Sequence, residues 1–297
     1  MRKIISICSI LILGLFLSST ALAHSHGHHE EDQEHKKGIL LVTFGSSYPQ
    51  AQAAFENIED QVKQAFPDTP VHWAYTSHMV RAKLAEEGQE LDSPAQALAN
   101  MQDQGFTHVA VQSLHTIPGA EFHDLHEVVQ AFRSMPGDLQ HIQLGYPLLG
   151  SDQDLREVSQ ALLQNIPDER GSQEAVVFVG HGSYHPSNAF YKALAYQLQQ
   201  EDPLAYVGTV GGSPSIEDIQ AQLENEDVQK AYLMPFMSVA GDHAQNDIAG
   251  EGQDSWKSIL SQAGIECETV MKGSAEYDNI VDVWIRHLEE AYSELEH

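Results

Sequence analysis

The sequence predicts an α/β fold of two similar lobes, each a parallel sheet flanked by helices, with a cleft between them. Three observations predict it. From Gly38 onward, short continuous apolar runs of the kind buried on both faces alternate with segments of helical spacing. The order of elements restarts near Ala175. The two halves can also be laid on each other. Phe44-Gly45-Ser46-Ser47-Tyr48-Pro49 matches Gly180-His181-Gly182-Ser183-Tyr184-His185-Pro186, with Gly45 in the place of His181. Thr107 to Leu125 matches Gln229 to Asp247, with Gly119 meeting Gly241 and Glu121 meeting His243. The expected division is a signal at 1–23, a histidine-rich acidic tail at 24–37, and lobes at 38–150 and 151–297.

The elements follow in order. Arg2 and Lys3, the apolar run Ile4 to Leu17 and the small-residue site Ala21-Leu22-Ala23 make a cleavable secretory signal, so a periplasmic protein with no membrane insertion after cleavage is expected. His24, His26, His28, His29 and His35 stand among carboxylates with no apolar residue to fold around: either a loose trap for divalent metal or a solvated tail. Strands are expected at Gly38 to Phe44, Val71 to Tyr75, Thr107 to Gln112 and His141 to Gly145. Helices are expected at Ala51 to Ala65, Ser77 to Glu87, Ser93 to Gln104, Glu121 to Arg133 and Asp152 to Gln164. The second half gives strands at Ala175 to Gly180, Ala205 to Val210, Gln229 to Phe236 and Glu266 to Met271. Its helices are Ser187 to Gln200, capped by Ser187 or Asn188, then Ser215 to Leu223, Asp254 to Ala263 and Tyr277 to Leu295.

Composition narrows the function. A formal charge of −28 on 297 residues excludes phosphate-tracking nucleic-acid binding, which needs a basic stripe, and favours attraction of cations. The chain carries 17 histidines, the commonest metal ligand. With Cys8 in the signal, Cys267 is left alone and is expected as a buried strand residue with no internal disulfide.

Two stretches carry the chemistry. Val177-Phe178-Val179-Gly180-His181-Gly182-Ser183 reads as a buried strand that turns at a histidine between glycines able to take positive φ. Met234-Pro235-Phe236 runs on to Gly241-Asp242-His243, where Asp242 or Asp247 could orient the imidazole. Both histidines would face the crevice at the carboxyl ends of one sheet, where open α/β sheets bind ligands. No His-Glu-x-x-His, Cys-x-x-Cys, Walker loop or nucleophile elbow is present, so the pattern alone indicates a two-histidine metal site and no particular reaction.

At these residues the chain resembles the class II tetrapyrrole chelatases, and most closely the anaerobic sirohydrochlorin cobaltochelatases of the CbiK type. The matching segments are Leu41-Val42-Thr43-Phe44-Gly45-Ser46, Val111-Gln112-Ser113-Leu114-His115, Val179-Gly180-His181-Gly182, and Met234-Pro235-Phe236-Met237 through Ala240-Gly241-Asp242-His243. The resemblance implies insertion of Co²⁺ into sirohydrochlorin with loss of two protons. It makes His181 metal ligand and catalytic base, His243 metal ligand, and Ser46, His115 and Glu121 candidate substrate-binding residues. Fe²⁺ in place of Co²⁺, or a periplasmic metal or haem carrier on the same fold, are the alternatives. Close relatives can carry a metal-binding glutamate where Thr209-Val210-Gly211-Gly212-Ser213-Pro214 has none, which leaves Glu121, Glu217 or water as substitutes. Arg81, Lys83 and Arg133 are candidate anchors for substrate carboxylates. His123 and His126 share a helix face, His123 is a candidate ligand for haem b at a subunit contact, and a homo-oligomer is expected.

Overall fold

The computed structural model describes residues 35–137, 139 and 141–296, so the signal and most of the histidine tail lie outside the described residues. The first half contains β1 (Lys37–Thr43), α1 (Gln52–Ala65), β2 (Val71–Tyr75), α2 (His78–Glu86), α3 (Pro94–Asp103), β3 (His108–Ser113), α4 (Ala120–Arg133) and β4 (His141–Gly145). After α5 (Asp152–Gln164) come β5 (Ala175–Gly180), α6 (Ala189–Glu201), β6 (Ala205–Thr209), α7 (Ile216–Asn225), β7 (Lys230–Phe236), α8 (Trp256–Gln262), β8 (Glu266–Thr269) and α9 (Asp278–Ser293). Short hydroxyls start many of the helices: Ser77, Ser93, Ser151, Ser215 and Ser255 each accept a backbone N–H of the first turn. Among the described residues no helix is long and apolar enough to cross a membrane.

Two four-stranded parallel sheets result, ordered β2-β1-β3-β4 and β6-β5-β7-β8. The orders are the same when β1 is read as β5. The central strands are buried along nearly their whole length, as parallel strands covered on both faces must be. In each sheet the chain reverses its direction of spread between the first and third strands. That is the topological switch point where ligand crevices form, and it brings the loops after β1, β3, β5 and β7 to one end.

The internal repeat holds, but with a better register at its first segment. Phe44, not Gly45, stands where His181 stands, because each is the first residue after its strand. Gly45 and Gly182 then coincide, at φ of 95° and 80°. Ser46 and Ser183 each accept the backbone N–H two residues on, at 3.2 and 3.0 Å, and the turns at Pro49 and Pro186 follow in step. The second alignment is consistent with the strand register, which pairs Ser113 with Val42 and Pro235 with Val179.

Several other expectations change. Asn188 stands at the N-cap of the helix after β5, but its side chain makes no capping bond and reaches Ser183 N and Ser213 O instead. A 3₁₀ turn at Pro186–Asn188 intervenes, and the His185 side chain accepts its N–H from Ser187. His243 is not at a strand end: β7 stops at Phe236, and His243 opens a π-helical turn at Ala244–Ile248. Cys267 is only half-buried, because β8 is an edge strand with one covered face, and burial still pushes its thiol up to about 11. The last helix belongs to the second half by sequence, yet α9 packs on β3 and β4 of the first sheet, while α5 packs against α6 as well as α9.

This exchange of helices is tied by a buried ionic cluster. Asp154 of α5 is inaccessible to solvent and receives His287 Nε2 at 3.0 Å and Arg286 Nη2 at 2.5 Å, both from α9. His287 Nδ1 donates to Tyr146 O at 3.1 Å, and Arg286 also reaches Glu157 at 2.8 Å. Burial alone would raise the Asp154 carboxyl, but the hydrogen bonds from His287 and Arg286 outweigh it and hold the group well below the ordinary carboxylate range. Its contribution is therefore full above about pH 4 and is lost as the pH falls below that value toward the folded one. Asp154→Asn is expected to destabilise the protein by about 3 kcal/mol at pH 7, since the Arg286 guanidinium loses a buried counter-charge. The gap to the wild type should narrow at pH 3 in urea unfolding; an equal gap at both pH values would refute this account.

Candidate functional site

The carboxyl ends of the two sheets enclose a cleft of about 500 Å³ that adjoins a second space of about 270 Å³. Phe44, His115, Thr116 and His181 border both. The larger space is also bordered by Tyr48, Met79, Val80, Met237 and His243, so most of its wall is apolar.

His181 and His243 meet here with ring centres 4.6 Å apart and planes inclined by 77°. β5 ends at Gly180, whose hydrogen faces Tyr191; a Cβ there would stand 2.3 Å from the Tyr191 ring. That close approach, and not positive φ, is why glycine precedes His181. Gly182 does need its positive φ, and a Cβ there would also press the backbone of the Gly211–Gly212 loop. Burial pushes Tyr191 up to about 12, so this supporting hydroxyl stays neutral.

The hydrogen bonds fix the state of both imidazoles. His181 Nδ1 lies 2.9 Å from Gly182 O, and His243 Nδ1 lies 2.5 Å from Asp247 Oδ2. A carbonyl and a carboxylate only accept, so both Nδ1 atoms carry the proton and both Nε2 lone pairs are left for a metal ion. Asp247 is therefore the residue that orients His243. Asp242 does a different job: it accepts from Tyr48 of the first lobe at 2.5 Å, and Asn246 braces both at 3.2 and 2.9 Å. The Tyr48 hydroxyl is raised by this bond to Asp242. A polar clasp thus joins the lobes at the cleft.

The other candidates divide. Ser46 shapes its own turn, and its Oγ stands 2.9 Å from where a Cβ of Gly241 would be, so it packs the two loops together. His115 is held by Ser113 Oγ at 2.8 Å, has a buried Nε2 without a hydrogen-bond partner, and is pushed down to about 4 by burial; it is a neutral wall residue at pH 7. Glu121 borders the smaller adjoining space, as His181 does, whereas Glu217 borders neither and is held by Ser215 at 2.7 Å. Gly211 lies along His181, donating to its carbonyl at 2.8 Å. Of the three cationic anchors only Lys83 borders the cleft. Arg81 is engaged with Tyr75 O at 2.7 Å and Arg133 with Ile142 O at 2.7 Å. His126 Nε2 lies 3.2 Å from the Gln130 amide nitrogen, and His123 is exposed outside the cleft wall, its ring 4.9 Å from that of His185. Two axial imidazoles on one iron need ring centres roughly 6 Å apart, from metal–nitrogen bonds of about 2 Å, so His123 and His185 as placed do not form such a pair.

Sequence reasoning missed Phe44, the Tyr48 clasp and Tyr184, which is 97 % exposed at the cleft edge. An ungapped alignment of the two halves would have found Phe44. Among the described residues no three histidine, cysteine or acidic side chains converge as a preformed metal cage. The site is a pair of imidazole donors on an apolar cleft.

Two imidazoles with unengaged Nε2 atoms on a largely apolar cleft suit a protein that brings a metal ion to an organic ligand, and comparison with known proteins makes the class specific. The chain belongs to the CbiK cobalt chelatase family, whose model matches residues 37–293. It is 43 % identical over 261 residues to the sirohydrochlorin cobaltochelatase CbiKC of Nitratidesulfovibrio vulgaris, covering 88 % of this chain and 92 % of that one. It is 37 % identical over 260 residues to the sirohydrochlorin cobaltochelatase of Salmonella typhimurium, covering 86 % and 96 %. The sirohydrochlorin chelatase SirB of Bacillus subtilis subspecies spizizenii, solved in complex with cobalt, shares the fold at a TM-score of 0.56 and 16 % identity, over 87 % of this chain and 96 % of that one.

Asp247→Asn is expected to weaken Co²⁺ binding at least tenfold, since the neutral amide no longer raises the electron density of the His243 ring. Calorimetric titration of the folded variant checks this; unchanged affinity would remove Asp247 from the site.

Proposed function

We propose that this protein is a sirohydrochlorin cobaltochelatase that inserts Co²⁺ into the macrocycle and releases two protons. The carrying observation is the His181–His243 pair, with both Nδ1 atoms engaged and both Nε2 atoms left as donors over an apolar cleft. Membership of the family and the names of the two relatives support the choice of substrate and metal.

The residues divide the work by their partners. The Asp247 carboxylate increases the electron density of the His243 ring, which makes His243 the firmer ligand. His181 is backed only by a neutral carbonyl and so lets go more readily. Imidazole holds Co²⁺ well enough to position it and weakly enough to release it. As Co²⁺ moves to the pyrrole nitrogens, His181 Nε2 exchanges the ion for one of the two departing pyrrole protons, as a neutral imidazole can near pH 7. The second proton leaves through a path for which His115 is ill suited, because burial keeps its basicity low. Phe44, Met79, Val239 and Met237 offer the flat macrocycle an apolar surface, and Lys83 offers a cation to its carboxylates. Glu121 shares the lining of the adjoining space with His181, which supports a role for its carboxylate in assisting the metal.

The test is anaerobic insertion followed by absorbance, with Co²⁺ or Fe²⁺ against an enzyme-free control. Enzyme-dependent conversion faster with Co²⁺ is expected, and His181→Ala should lose at least a hundredfold in rate with its fold retained. Faster conversion with Fe²⁺ would make the protein a ferrochelatase. Binding of tetrapyrrole without acceleration would make it a carrier.

Export to the periplasm and a haem on His123 complete the reading. The first rests on the signal pattern at residues 1–23. The second rests on an exposed imidazole that makes no hydrogen bond among the described residues. The protein recovered from an exporting cell tests both: its mass should correspond to a start at His24, and its spectrum should show a Soret band that His123→Ala loses. A retained signal, or no Soret band after haem addition, would remove the respective claim.

A further inference from the structure

A second group of imidazoles lies at the other end of the first sheet. His108 and His141 are paired partners at the starts of β3 and β4, and their rings stack 4.4 Å apart at 18°. His35, just before β1, sets its ring edge-on to His108 at 4.5 Å. His108 is 4 % exposed and its Nδ1 lies 2.9 Å from Thr107 Oγ1, whereas His35 and His141 are exposed and no hydrogen bond reaches their rings among the described residues. The length of β3, six residues at about 3.3 Å each, separates this group from His115 and the cleft by roughly 20 Å.

Strand packing alone does not account for three imidazoles here. One apolar side chain at 108 would fill the buried position, and the two exposed rings add little core burial. Lys36 and Lys37, the neighbouring cations, are already engaged, with Gln104 O and with Glu296, both at 2.8 Å. What the three rings share is donor nitrogen of the kind that borderline divalent ions select. The sequence also concentrates such donors here, with His24, His26, His28 and His29 shortly before His35.

We propose that His35, His108 and His141 form a second divalent-metal site, for ions such as Co²⁺, Ni²⁺ or Zn²⁺, at the base of the first lobe. The three donors do not converge on one point as they stand, so the exposed His35 and His141 rings turn toward an ion held at the fixed His108. The inference does not depend on the chelatase reading, because it uses no residue of the cleft.

The experiment uses the full mature chain carrying His181→Ala and His243→Ala, which removes the cleft donors, titrated with Co²⁺ by calorimetry and by the visible absorption of the bound ion. One ion per chain should remain. Adding His35→Asn or His141→Asn, both at exposed positions, should weaken it at least tenfold, as loss of a ligand does, with the unfolding midpoint of the metal-free protein unchanged. Asparagine at 24, 26, 28 and 29 together should leave the ion bound. Absence of any ion in the double-alanine chain would overturn the proposal. So would an ion indifferent to His35→Asn and His141→Asn but lost with the four tail substitutions.

Discussion

The site depends on the pairing of β5 with β7. These neighbouring parallel strands are aligned so that Gly180 lies beside Phe236, and the loops that leave them start from adjacent points on one edge. From Gly180 the chain needs one residue to place His181; from Phe236 it needs seven to place His243. The longer path is stiffened by the π-helical turn it enters, where Asp247 comes to stand four residues from His243 and meets its Nδ1. A slip of one residue in the β5–β7 register would turn the side chains of a strand to the opposite face and part the imidazoles.

Around that pairing the molecule is a duplicated scaffold with divided tasks. The same turn follows β1 and β5, down to the serine that accepts an N–H two residues on, yet one turn presents Phe44 and the other His181. Glu121 likewise occupies the counterpart of His243. The first lobe thus sets a phenylalanine and a carboxylate where the second sets its two histidines. Face-to-face lobes must be held at a set distance, and two devices do so: the buried Asp154–Arg286–His287 cluster linking α5 and α9, and the Tyr48–Asp242–Asn246 clasp at the cleft. The first is centred on the buried Asp154 and His287; the second is exposed, where water competes for each bond.

Metal insertion needs ligands that let go. A closed cage of charged donors would hold Co²⁺ against transfer, whereas the proposed pair of imidazoles, unequally backed, would give a firm side and a yielding side. The unequal backing arises from ordinary local structure: a helical i,i+4 contact for His243 and a glycine carbonyl for His181. The loop at Gly211 brings no carboxylate to the site, and the glycine packs along the His181 backbone.

Sequence by itself determined the element order, the parallel sheets, the duplication and the two histidines that meet in the cleft. Those follow from local patterns: apolar runs of strand length, hydroxyls before helices, and histidines just beyond strands. Only the tertiary structure decided which carboxylate serves His243, since Asp242 adjoins it in the chain yet the π-helical turn brings Asp247, four residues on, to its Nδ1. It also decided that Lys83 alone of three cations reaches the cleft, that α9 crosses to the first sheet, and that Phe44 mirrors His181. Each of these depends on where a side chain points or which distant element meets it, and contacts between residues far apart in the chain leave no periodic trace along it.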